Sequence, residues 1–231
     1  MSGDTTWHSG DAWAEAGIRG AVVVAHGGKS VSIEPTSRRE LAVLRMVPLA
    51  NAIRRATRGY GVAVCQPRFK LKGWNGELAS PVADLGNLLD EIGTRFGDIP
   101  IVLIGHSMGA RASFRAAGHP AVTAVAGLAP WLPPGEPADQ LAGRRVLLAH
   151  GTADRVTPPA ETWAYAERAR AVTQVAAIEI RGGEHTMLWR APLWHRLAAE
   201  FSRLSLGLPG PAEDVTKAFQ QVTAGEQRTM A

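Results

Sequence analysis

The chain has 231 residues, 45% of them hydrophobic, enough to bury a full core within a single globular unit. Lys and Arg outnumber Asp and Glu by 25 to 21, but the basic residues are scattered as dyads such as Arg38-Arg39, Arg54-Arg55 and Arg144-Arg145, so no nucleic-acid partner is implied. Cys65 is the single cysteine, which excludes an internal disulfide and a Cys-based zinc cluster and suits a reducing cytoplasm.

In chain order, residues 1–11 are polar and show no secretory leader, and the apolar runs that follow fall far short of the roughly 20 residues that span a bilayer. A soluble, cytoplasmic chain with no membrane partner is expected. Residues 21–25, 61–65, 101–104, 122–127, 145–149 and 175–180 are short aliphatic runs bounded by Gly or Pro, which read as buried parallel strands. Between the first two, Leu41, Leu44, Val47 and Ile53 keep helical spacing from a capping Ser37 to Gly59. Leu85, Leu88, Leu89, Ile92 and Phe96 mark a second helix that stops at Gly97, and further helices are predicted after Ser107, Pro158 and Met187. This order predicts an α/β fold, a mostly parallel sheet with helices on both faces, because right-handed crossovers place them there. Reactive loops then gather at the carboxyl ends of the strands. Residues 131–141, which include Pro-Pro-Gly-Glu-Pro, are too Pro-rich for a long helix and read as a short cap or lid. Residues 1–206 are taken as one domain; the polar residues 207–231, with weak periodicity in Val215, Phe219 and Val222, read as a frayed or partner-docked tail.

The chemistry concentrates in three places. Ile101 to Ala110 is an apolar strand, then Gly105-His106-Ser107-Met108-Gly109, then the Ala-rich start of a helix. A turn that tight needs small residues two places before and after the serine, and it lifts the Ser107 hydroxyl above the sheet at a helix N-terminus. Serine alone is a weak nucleophile and needs a base, itself held by a third group. Asp154 lies a few residues beyond the strand at 145–149, in a loop closed by Pro158, and His185 lies just past the next strand, beside Gly182-Gly183. Glu184 is a rival orienting acid, though a side chain rarely faces the ring of its immediate neighbour.

In motif, order and spacing, residues 21–206 resemble the α/β-hydrolase superfamily. The resemblance implies Ser107 as nucleophile, Asp154 as acid and His185 as base, in the conventional chain order. It also implies an oxyanion hole from the backbone N–H groups of Met108 and of Gly28, which follows His26-Gly27 at the end of the first strong strand. His106 and His150 then support loops, while His8, His119 and His195 have no catalytic partner. Trp131 and Leu132 fall where the superfamily inserts its cap and read as pocket residues, with core packing as the alternative. Trp74 closes the segment Arg68-Phe69-Lys70-Leu71-Lys72-Gly73-Trp74, which is either an arm for an anionic substrate or a solvated loop. The expected activity is hydrolysis of a small-molecule carboxylic ester with no metal or organic cofactor. A thioesterase, an acyl transferase or cyclase, and a silent binding module are the alternatives, and homo-oligomerisation is left open. Only about twenty residues precede the first strong strand, so the N-terminal edge of the sheet is expected to be reduced.

Overall fold

A computed structural model describes residues 6–9, 17–223 and 229–230. The elements in chain order are β1 (Thr6–Ser9), β2 (Gly20–Ala25), α1 (Leu41–Leu44), α2 (Met46–Ala56), β3 (Val62–Gln66), α3 (Ser80–Phe96), β4 (Ile101–His106), α4 (Met108–Ala116), β5 (Val122–Leu128), β6 (Arg145–Gly151), α5 (Pro159–Arg170), β7 (Val175–Ile180), α6 (Ala191–Ser205), α7 (Glu213–Thr223) and β8 (Thr229–Met230). They form one sheet in the order β1-β3-β2-β4-β5-β6-β7-β8, in which β2 to β8 run parallel and β1 pairs antiparallel with β3. All six strands predicted from the apolar runs are present. The edge is less reduced than expected, because residues around His8, read as loop, supply β1.

Side-chain alternation along the strands divides the core in two. Ala21, Val23, Ile101 and Leu103 face one side, where Leu85, Leu89, Phe114 and Tyr165 of α3, α4 and α5 cover them. Val22, Val24, Val102 and Ile104 face the other, under Met46, Ile53, Trp194 and Phe201 of α2 and α6. The helix predicted from Ser37 begins instead after Glu40 and is interrupted at Arg45. Pro48 accounts for the break, since it has no N–H to give the Leu44 carbonyl and its ring crowds that turn. Within the expected tail, α7 buries Val215 and Ala218 against the second core, and the Glu200 carboxylate accepts the Val215 N–H at 3.2 Å. No helix among the described residues is long and apolar enough to cross a membrane.

Candidate active site

Ser107 occupies the reversal between β4 and α4 with φ 54° and ψ −120°. A side-chain-bearing residue held at such a positive φ stores on the order of 1–3 kcal/mol. The flanking glycines make the reversal possible: a Cβ on Gly105 would stand 2.4 Å from Ala110 Cα, and one on Gly109 would stand 2.3 Å from the His26 carbonyl oxygen. The hydroxyl is therefore presented at the carboxyl edge of the sheet, where the loops after β6 and β7 converge on it.

Those loops carry Asp154 and His185. His185 Nε2 lies 3.0 Å from Ser107 Oγ, and His185 Nδ1 lies 2.8 Å from Asp154 Oδ2. The three predicted residues thus form one hydrogen-bonded chain. Asp154 is buried, yet its second oxygen accepts the N–H groups of Val156 (2.8 Å) and Thr157 (3.0 Å), while Oδ2 also takes the Thr157 hydroxyl (3.0 Å) and His150 Nε2–H (3.0 Å). Burial alone would raise the carboxyl pKa; the hydrogen bonds from His150, His185 and the two backbone N–H groups outweigh it and hold the group ionised, far below the usual carboxylate range. An acceptor with this many donors has one stable orientation, and it aims Oδ2 at the imidazole. Glu184 does not compete for His185, because its carboxylate accepts from Thr186 and from the Trp189 N–H in its own loop.

Three further histidines brace the edge. His150 Nδ1 accepts from the Thr162 hydroxyl at 2.7 Å, which leaves Nε2–H to donate to Asp154. His106 is fully buried; burial, with help from the neighbouring His185, lowers its pKa to about 3, so it is neutral and its Nε2–H donates to the His185 carbonyl at 2.8 Å. Burial also lowers His26, to about 4. Its Nδ1–H donates to the Gly27 carbonyl at 2.6 Å and its Nε2 accepts the Phe69 N–H at 3.1 Å. Loop support was expected for His106 and His150, but nothing in the sequence marked His26 for it. Of the others, His119 lies beside Asp90 on the surface and His195 sits on α6 near Arg55.

The segment bearing Gly28 is zipped to residues 70–74 by bonds from Lys29 N to the Lys72 carbonyl (2.8 Å) and from Trp74 N to the Lys29 carbonyl (2.9 Å). A Cβ on Gly27 would lie 3.3 Å from Ser107 Cβ, and one on Gly28 would lie 2.3 Å from Met108 Cε, so this loop runs directly past the serine turn. Among the described residues neither Gly28 N–H nor Met108 N–H has a hydrogen-bond partner; the latter is the first N–H of α4, which helix geometry leaves free.

Of the expected pocket residues, Trp74 and Trp131 wall a cleft of about 640 Å³ together with Ser30, Val31, Arg111 and Arg115, whereas Leu132 is buried in the core. The 131–141 segment is fastened to the body: Glu136 is buried against Arg111 and Arg115, Tyr165 donates to the Pro137 carbonyl at 2.8 Å, and Gln140 Nε2 donates to the Phe114 carbonyl at 3.0 Å. In the basic stretch, Lys72 pairs with Glu34 (2.9 Å) and Glu40 (2.8 Å), Lys70 with Asp84 (3.5 Å), and Phe69 is buried against His26. Sequence reasoning passed over Thr157, Thr162, Arg111 and Glu136. Only Arg111 left a signal: four residues beyond Ser107, it shares the serine's face of α4.

No protein-family model and no curated protein matches the sequence. Solved structures do match in shape. An esterase from Thermogutta terrifontis with propionate bound superposes with a TM-score of 0.66 at 18% identity, over 90% of either chain. A monoacylglycerol lipase from Paleococcus ferrophilus gives 0.62 at 17%, over 89% of this chain and 100% of that one. An α/β serine hydrolase homologue from Coxiella burnetii gives 0.62 at 18%, over 86% and 93%. The chain has the α/β-hydrolase fold.

Proposed function

We propose that this chain is a serine hydrolase that cleaves a carboxylic ester through an acyl-enzyme intermediate. The observation that carries this reading is the unbroken hydrogen-bonded chain from Ser107 Oγ through His185 to Asp154 at a strained elbow. In the first step Ser107 Oγ attacks the ester carbonyl while His185 Nε2 takes the hydroxyl proton. The tetrahedral oxyanion is held by the free N–H groups of Gly28 and Met108, and Asp154 stabilises the imidazolium that has formed. His185 returns the proton to the departing alcohol, leaving the acyl group on Ser107. Water, deprotonated by the same imidazole, then attacks the acyl carbonyl, and the imidazolium returns that proton to Ser107 Oγ as the acid is released. The solved esterase and lipase structures of like fold support the substrate class. A thioesterase acting on an anionic carrier would draw on the basic stretch after β3, but its lysines are already matched by acids.

The test is release of p-nitrophenol from short and medium acyl esters, with fluorophosphonate labelling in parallel, by the wild type and Ser107→Ala. Activity and labelling are expected to vanish together in the variant, a loss of about 10⁴-fold or more. A folded wild type that takes no label would overturn the hydrolase reading in favour of a binding module.

A further inference from the structure

Arg111 is held in an unusual way. Its guanidinium carbon sits 3.9 Å from the ring centroid of Trp74 and 4.6 Å from that of Trp131, whose rings meet edge to face at 6.1 Å. Two indole rings around one planar guanidinium fix its direction and shield its faces from water. Its Nε donates to Glu136 at 2.7 Å, and that single carboxylate is shared with Arg115. One negative charge thus serves two positive ones, and the two terminal NH₂ groups of Arg111 have no hydrogen-bond partner among the described residues. Arg111 lines the 640 Å³ cleft, together with the hydroxyl-bearing Ser30 and, at an exposed lip, Glu77.

Two residues that line the cleft are bonded to the serine turn. Ser107 O accepts the N–H groups of both Arg111 and Trp131, each at 3.2 Å. Arg111 lies one turn further along α4, about 6 Å of helix rise. A substrate whose carbonyl rests on Ser107 therefore reaches Arg111 with a group a few bonds away.

We propose that Arg111, clamped between Trp74 and Trp131, is a specificity residue that binds a carboxylate on the acyl part of the substrate, so that the preferred substrates are monoesters of short dicarboxylic acids. A carboxylate has the planar two-oxygen geometry that the two free NH₂ groups match, and the apolar indole walls accept the intervening methylenes. This rests on the ester-hydrolase reading for its chemistry, but the binding site itself does not.

The test compares kcat/KM for p-nitrophenyl monoesters of succinate, glutarate and adipate with their methyl-capped neutral counterparts. The wild type is expected to favour one acid member of the series over its capped form by about 10- to 100-fold, the range for a charged hydrogen-bonded pair. Arg111→Gln should bring that ratio close to one. Arg111→Lys, which keeps the charge opposite Glu136, should lower it and serves if the glutamine variant fails to fold. Glu77→Gln should raise it by removing a like charge. Equal rates on acid and capped esters in the wild type, or a ratio unchanged in both Arg111 variants, overturns the proposal while leaving the hydrolase reading intact. If no ester is turned over, titration of Ser107→Ala with monomethyl glutarate, followed by tryptophan fluorescence, decides the matter. Saturable binding that Arg111→Gln abolishes sustains the site, and no response up to millimolar ligand sinks it.

Discussion

The two edges of the sheet are built on different terms. At the amino edge, where helices end, the positive-φ positions among the described residues are Gly59, Gly61, Gly97, Gly143, Gly207 and Gly210. At the carboxyl edge they include Asn75, Ala79, Ser107, Ala129, Met187 and Arg190, which are all the side-chain-bearing positive-φ residues among those described. Exposed apolar side chains divide the same way: Val31, Ile33, Leu78, Val156, Leu188 and Trp189 stand on loops after strands, whereas Tyr60 stands at the amino edge. The amino edge relaxes each tight turn with glycine. The carboxyl edge keeps side chains in costly conformations and leaves hydrocarbon in water, and the surrounding hydrogen bonds hold it there.

That contrast is broken most severely at Asp154. Asp154→Asn retains the shape but turns one acceptor into a donor facing His150 and His185, so kcat toward p-nitrophenyl esters should fall by about 10⁴-fold. A fall of less than tenfold would mean that the carboxylate does not orient the imidazole. Gly28→Ala comes next, because the new Cβ would meet Met108 Cε at 2.3 Å and the Lys72 carbonyl at 2.5 Å. Displacing this N–H donor should cost about 100- to 1000-fold in kcat with little change in Tm; a large Tm loss at full kcat would place the strain in folding instead.

The buried histidines give the edge a signature in pH. His26 and His106 have their pKa values lowered from 6.5 to about 4 and about 3, so the folded chain refuses protons that the unfolded chain binds. Stability conferred by their neutral forms is complete above pH 6.5 and drains away as the pH falls toward 4. With two protons involved, the slope reaches about 2.7 kcal/mol per pH unit, less what Glu200, pushed up by burial, returns. Urea unfolding between pH 7 and 4 measures it, and a flat profile would show that the rings are charged in the native state. The smallest effect belongs to the amino edge. Gly59 has φ 81° and nothing within 4 Å of an added Cβ, so Gly59→Ala should cost about 1–2 kcal/mol of stability and leave kcat unchanged.

The strands were legible because buried parallel strands must be continuous aliphatic runs, and the serine elbow because its geometry dictates its glycines. Asp154 and His185 were legible by position, each just past such a run. Four-residue β1 is too short for a period to show, and among the described side chains of α7 the buried stripe is Val215 and Ala218, with Phe219 partly buried beside them. The break before α2 was written in Pro48 but hidden under a good helical spacing. Thr162 and Glu136 take their roles from partners 12 and 25 residues away, and Thr157, though it bonds Asp154 three residues before it, meets His185 28 residues on; no local pattern points to these contacts. Trp131 and Leu132 show the limit most sharply, since adjacent residues in one Pro-rich segment face a cleft and the core respectively.

The hydrogen bond from the Ser107 hydroxyl to His185 joins residues 78 apart, across a sheet whose neighbouring strands meet only through crossovers. Such long-range parallel pairings form late, after the helices that local contacts can nucleate. The Ser107 hydroxyl would therefore be a clock for the chain's own assembly: in refolding, covalent capture at Ser107 should lag the return of helical circular dichroism and mark the moment at which the last strands find their places.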